Sequence, residues 1–217
     1  MDEIFVIVLD RDKIRKEYVK EIIKKNKLSA KIFSAIDGSQ LTKHQLDKYV
    51  KNNYIDAEFQ DKLTTGELGC ALSHVKLWEM MIEKNLDQIM ILEDDFMLGN
   101  NFQEKFYEFK SELPEDYDIA YMWLWQRKRY GIIPLKNLKT VCIPKFPRAT
   151  TGYIISKKGA KKIISLIKPI CDTIDDELNM LLTRNEIKSY ASKENLIRPY
   201  DELESNICGS GIFKFID

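Results

Sequence analysis

Glu93, Asp94 and Asp95 close the stretch QIMILEDDFML at residues 88–98, directly after an apolar run of the kind that forms a buried strand. Adjacent carboxylates repel, and burying them without partners costs several kcal/mol or more each. Either the triplet faces water or caps the next element, or a cation belongs between its members. Three acids on one short turn suit a hard divalent ion, Mg²⁺ or Mn²⁺, which prefers oxygen ligands and commonly neutralises a departing diphosphate. A second acidic pair, Asp175 and Asp176 in TIDDELNML, stands at the start of a predicted helix. There the helix dipole favours negative charge.

The other chemistry-bearing residues are sparse. The chain has two histidines, His44 and His74. His74 follows Ser73 in ALSHVKLW, near the middle of a predicted helix, where a partly buried ring with satisfied nitrogens is the plainer reading. Adjacent helical positions point in different directions and no nucleophile elbow is present, which disfavours Ser–His–Asp catalysis. No GxGxxG or GxxxxGK[ST] loop occurs, which disfavours a Rossmann dinucleotide site and a P-loop kinase.

The elements that must position these groups alternate. IFVIVL (residues 4–9) reads as a buried strand, followed by a basic amphipathic helix over residues 12–26. AKIFSAIDG is a second strand ending in a Gly turn, and residues 40–65 are polar and irregular or form short helices. A long helix follows from Thr64 or Thr65, with Glu67 in its first turn and Leu68, Leu72, Val75, Trp78 and Ile82 at helical spacing. QIMILEDD is the next strand and NNFQEKFYEFKSEL a helix. YDIAYMWLW is a strand before the basic loop QRKRYG. LKTVCIP and TTGYIISKKGA are further strands, the latter feeding a helix; TIDDELNMLLTRN is a helix and IKSYAS a late strand. This alternation predicts one α/β sandwich over residues 1–217 with a mostly parallel sheet, in which ligands bind beyond the carboxyl ends of the strands. Glu93–Asp95 fall on that edge.

Lys plus Arg (34) balances Asp plus Glu (34), so no global field points to nucleic acid or an anionic membrane. Cys70, Cys142, Cys171 and Cys208 show no metal-type spacing and read as reduced thiols of a cytoplasmic protein. No stretch has the length to span a bilayer.

Taken in order, these segments resemble glycosyltransferase family 25, which includes lipopolysaccharide galactosyltransferases and collagen hydroxylysine galactosyltransferases. IVLDRDKIR resembles the family's opening strand and Arg-containing turn, with Val8 where the family usually carries Asn. AIDG, TTGELGCALSHVKLWE, ILEDDF, TTGYIISKKGAKKII, TIDDELNML and SNI follow as further blocks. The resemblance implies a GT-A type nucleotide-binding sandwich that moves a hexose, galactose or glucose, from a UDP-sugar with inversion. The acceptor would be a hydroxyl of a glycan, lipooligosaccharide or hydroxylysine. It implies Mn²⁺ (or Mg²⁺) held by Glu93 and Asp95, with Asp175 as the base. It also implies a nucleotide-sugar site formed by Leu9, Arg11, Arg15, Asp37, Gly38, Ser73, His74, Glu93, Asp94, Thr151 and Gly152. Trp123, Trp125 and Tyr130 are candidates for stacking on a sugar. Peripheral membrane contact through a lipid-linked acceptor and a homo-oligomer are compatible with this reading. Two other classes share these features: a sugar-nucleotide or glycan-binding protein without turnover, and a Mg²⁺-dependent nucleotidyltransferase.

Overall fold

The computed structural model describes residues 3–42, 44, 49, 63–125, 127–200 and 203. Strand β1 (Glu3–Val8) pairs in parallel with β2 (Ala30–Ser34) on one side and β3 (Gln88–Glu93) on the other. The sheet has the order β2-β1-β3-β8-β5-β9-β7-β6, completed by β5 (Ile119–Tyr121), β6 (Ile132–Pro134), β7 (Val141–Pro144), β8 (Gly152–Ser156) and β9 (Ser189–Ser192). Six of the eight strands run one way, and β8 and β7 run against them. The expected α/β sandwich with a mostly parallel sheet flanked by helices is therefore what the chain forms.

Alternation along the strands divides the core into two layers. Phe5, Ile7, Ile89, Ile91, Tyr121 and Tyr153 point to one face, which α2 (Thr65–Glu83), α5 (Lys157–Ile167) and α6 (Ile174–Thr183) cover. Ile4, Val6, Val8, Met90, Leu92 and Ile154 point to the other, covered by α1 (Lys13–Lys25) and α3 (Phe102–Glu112). The interior of β1 (Ile4–Val8) and of β3 (Ile89–Leu92) is continuously apolar because both faces of these strands are buried. Helix starts follow local chemistry. Asp12 caps α1, and Thr64 and Glu67 form a reciprocal capping box at α2.

Several elements differ from the sequence reading. The strand expected over YDIAYMWLW is limited to Ile119–Tyr121. At Met122 the backbone turns to bond Gly152 O and Leu196 N instead. The basic segment after it is not a plain loop but contains one helical turn, α4 (Arg127–Tyr130), with the Arg127 guanidinium on Lys193 O and on Asn195 Oδ1. A small ribbon of β4 (Phe96–Leu98) and β10 (Ile197–Pro199) was not anticipated, because three-residue strands carry no readable period. Most of the 40–65 segment, the SNI block and Cys208 lie outside the described residues.

The loop after β2 lies directly on α2. A Cβ at Gly38 would fall 1.6 Å from Thr65 O, and one at Gly69 would fall 2.6 Å from Ile36 O and 2.7 Å from Gly38 N. Backbone meets backbone here, so no side chain can yield. Gly69→Ala should lower stability by about 1–3 kcal/mol, the usual range for overpacking, read as a lower urea midpoint. An unchanged midpoint would show that this close approach is not maintained.

Candidate functional site

At the end of β3 the chain turns through Asp94 and Asp95 into β4. The ribbon holds this turn: β10 pairs with β4, and Tyr200 N–H donates to Asp95 O at 2.6 Å. Tyr18 from α1 donates to Phe96 O and stacks on Tyr200. The charges are held by Arg15, whose side chain is 8% exposed. Its backbone N–H is capped by Asp12, its guanidinium is ion-paired with Asp94, and it lies 4.0 Å from Asp95 Oδ2. Expected as a nucleotide contact, Arg15 lines the cleft but acts first as counter-charge to the acidic turn.

One guanidinium does not offset this many carboxylates. Burial pushes the Asp94 carboxyl up to about 6 against the pull of Arg15. Burial, and then the neighbouring Glu93 charge, push Asp95 up to about 7. Among the described residues the buried Asp95 Oδ1 has no hydrogen-bond partner, while Glu93 Oε1 accepts from Thr150 Oγ1. An orphaned carboxylate oxygen next to a second carboxylate fits a hard divalent cation, which would replace the protons these groups otherwise favour.

The acidic turn lines a cleft of about 170 Å³ that is open to solvent. Leu9, Arg11, Arg15, Asp37, Gly38, Ser73, His74, Glu93, Asp94 and Asp95 all line it, so ten residues selected from sequence converge there. Arg11 pairs with Asp37 at 3.2 Å, and Asp37 caps the turn at Gly38–Gln40, with Ser39 holding its carboxyl below the usual range. Ser73 uses both hydroxyl functions within the protein, donating to Gly69 O and accepting from Ile36 N–H. It fastens the β2 loop to α2 rather than offering a free hydroxyl. His74 is fully buried; its Nδ1 is 2.7 Å from Tyr153 Oη, and its Nε2, without a hydrogen-bond partner among the described residues, is 3.5 Å from Glu93 Oε1. Cys70 Sγ, a ring nitrogen of His74 and a Glu93 oxygen lie within 4.8 Å of one another. Burial and then the Glu93 charge raise the Cys70 thiol well above its ordinary pKa.

Residues 148–152 join this acidic centre to α6. Thr150 reaches Glu93 by its hydroxyl, and Thr151 O accepts from Glu93 N–H at 3.0 Å. Ala149, at φ +68°, turns its N–H toward Asp175 Oδ2 at 3.3 Å. Thr173 Oγ1 lies 2.7 Å from Asp175 Oδ1. Asp176 is occupied differently, by the Arg148 guanidinium at 2.9 and 3.1 Å. Thr151 and Gly152 are buried. The space of a Gly152 Cβ is filled by Ile197 and Leu92, so this glycine serves packing rather than close approach of a ligand. Trp123 is buried in the second core layer, Trp125 packs against that layer, and the Tyr130 side chain lies outside the described residues.

Sequence reasoning did not select Asp12, Tyr153, Trp78, Arg148 or Thr150 for the site. Thr150 stands beside a selected residue, and Asp12 is a visible helix cap. Arg148, Tyr153 and Trp78 reach the site through pairings that no local pattern reports.

The model of "Glycosyltransferase family 25 (LPS biosynthesis protein)" matches residues 1–178. A Drosophila melanogaster glycosyltransferase 25 family member is 30% identical over 207 residues, covering 91% of this chain and 34% of its own length. Human procollagen galactosyltransferase 2 is 29% identical over 173 residues, covering 75% of this chain and 27% of its own. A rat protein named probable inactive glycosyltransferase 25 family member 3 is 28% identical over 171 residues, covering 76% and 30%. The chain thus spans about a third of the length of these relatives. Among the described residues no helix is long and apolar enough to cross a membrane.

The raised carboxyls make stability depend on pH. A folded-state pKa of about 6 or 7 against an ordinary 3.8 means that the folded protein holds protons the unfolded chain releases. Their contribution is fully present below pH ~4 and is lost as pH rises through 6 to 7, on the order of 3 kcal/mol for a two-unit shift. The metal-free protein should therefore melt lower at pH 8 than at pH 5.5, as followed by calorimetry. Mn²⁺ should raise the melting temperature more at pH 8, and Asp95→Asn should reduce both effects. Equal Mn²⁺ responses at the two pH values would contradict this account of the turn.

Proposed function

Because the chain belongs to glycosyltransferase family 25, we propose that it moves a hexose, galactose or glucose, from a UDP-sugar to an acceptor hydroxyl with inversion of configuration. The acceptor class is a glycan, lipooligosaccharide or hydroxylysine-type hydroxyl. The observation that carries the reading is Asp95 Oδ1, a buried carboxylate oxygen without a partner, in a cleft that also holds Arg11, Asp37 and His74. Glu93 and Asp95 would hold the divalent cation, Mn²⁺ or Mg²⁺, which when bound neutralises a diphosphate leaving group.

The remaining work falls to the chain's own groups. Arg15 fixes the acidic turn through Asp94. Leu9, Arg11, Asp37 and Gly38 border the nucleotide. Transfer with inversion needs a base on the face opposite the leaving group. Asp175 is the base in this reading, because Asp176 is neutralised by Arg148 whereas among the described residues Asp175 accepts from a hydroxyl and a backbone N–H. Thr173 and Ala149 orient its carboxylate, leaving lone pairs for the acceptor proton. The free thiols Cys70, Cys142 and Cys171 support a reducing, cytoplasmic setting.

A panel of UDP-hexoses, with UDP release measured with and without EDTA, tests the reading. Asp95→Ala should abolish cation-dependent release without unfolding the protein; activity indifferent to EDTA would end the proposal. Asp175→Asn should keep UDP binding and lower transfer by roughly 10² to 10⁴-fold, the usual contribution of a general base. Asp176→Asn should lose much less. If Asp176→Asn is the damaging change, the base has been assigned one residue off. UDP binding without turnover of any donor would instead mark a non-catalytic member of the family.

A further inference from the structure

His74 lies between a closed hydrogen-bond chain and the open cleft, and the chain determines which ring nitrogen carries the proton. Behind the ring, the fully buried Tyr153 hydroxyl has two polar neighbours among the described residues. Trp78 Nε1 is at 3.0 Å and His74 Nδ1 at 2.7 Å. An indole N–H can only donate, so Trp78 donates to the Tyr153 oxygen. The tyrosine proton then has His74 Nδ1 as its acceptor. A neutral imidazole that accepts at Nδ1 carries its hydrogen on Nε2.

The opposite tautomer would make the Tyr153 oxygen accept twice and leave its buried proton unpaired. Leaving a buried donor unmade disfavours that state by roughly tenfold or more. In front of the ring, Nε2 has no hydrogen-bond partner among the described residues; Glu93 Oε1 at 3.5 Å is beyond a normal hydrogen bond. The group is fully buried and faces the cleft beside the acidic turn.

We infer that Trp78 and Tyr153 are positioning residues that lock His74 as an Nε2–H donor, aimed at an oxygen of the bound nucleoside diphosphate. The ligand part rests on the function proposed above; the lock does not. The lock also decides between two uses of the Cys70–His74–Glu93 cluster. A zinc-type ion would need the Nε2 lone pair, which the locked tautomer covers with a proton. The cluster is therefore a donor site for an oxygen ligand and not a soft-metal site.

The whole chain contains only His44 and His74, so ¹⁵N-histidine labelling gives two rings, told apart by the exposed-site variant His44→Gln. In the ligand-free protein at neutral pH, His74 should show the proton on Nε2. Tyr153→Phe should release the lock, giving a mixture or the Nδ1–H form. Trp78→Phe should loosen it by freeing the tyrosine oxygen to accept, which provides a second route should Tyr153→Phe fail to fold. UDP affinity should fall roughly 10-fold to 100-fold in His74→Ala, the range for a hydrogen bond to a charged group. Tyr153→Phe should add little in that background. A wild-type His74 with its proton on Nδ1, a ring unmoved in Tyr153→Phe, or Zn²⁺ displacing the Nε2 proton at stoichiometric concentration would overturn the lock. A locked ring with UDP affinity unchanged in His74→Ala would overturn its assigned ligand.

Discussion

The Arg15 guanidinium faces the carboxylates of Asp12, Asp94 and Asp95, and the form of the cleft follows from holding those charges together. Buried like charges are tolerated only with a counter-charge and bonded lone pairs. The counter-charge comes from the start of α1, and the acids from the end of β3, 79 residues away. They meet because β1 and β3 are parallel neighbours, so that whatever follows each strand emerges at the same sheet edge. Were β1 paired elsewhere, the turn would lack its cation and the carboxylates would have to face water or stay protonated.

Around this pair, most polar groups are already satisfied by the protein. Ser73 joins α2 to the β2 loop, Asp37 caps a turn, Asp176 takes Arg148, and Glu177 accepts from the Cys171 and Asp172 amides. What remains unsatisfied at the cleft among the described residues is narrow: one oxygen of Asp95 and one nitrogen of His74. The pattern separates groups that hold the frame from groups with unused valence. Pre-organised, unpaired groups in a dry site are where binding energy is gained without rearrangement.

Much of this was legible in the residue string because the long elements advertise themselves. The capping box at Thr64 and Glu67, the two-sided apolar character of β1 and β3, and the acids at a strand end all survive in the fold. The cleft was legible because the fold class places strand ends together. The tyrosine and tryptophan behind His74 were not: Tyr153 reads as an ordinary strand aromatic and Trp78 as a core position of α2. Their polar ends matter only once β8 is seated beneath α2. The β4/β10 ribbon was hidden for a different reason. Its strands are too short for periodicity, and their meaning lies in a pairing across about 100 residues.

The reversed direction of β8 has a further consequence. Flanked by β3 and β5, it delivers its beginning rather than its end to the edge where the site lies: Gly152 stands opposite Leu92, and Tyr153 opposite Tyr121. The segment entering the site from that side is therefore the one that leaves β7, and β7 forms a hairpin with β6 at the outer margin of the sheet. Added or lost residues in that hairpin fall at the margin, while β8 keeps its register through two neighbours. The architecture thus separates the elements that hold the acidic turn, β1, α1, α2 and β3, from a hairpin margin that lies away from it. A change of length in that hairpin would leave the charges at the centre where they are, because β7 and β6 lie at the far side of the sheet from β1 and β3.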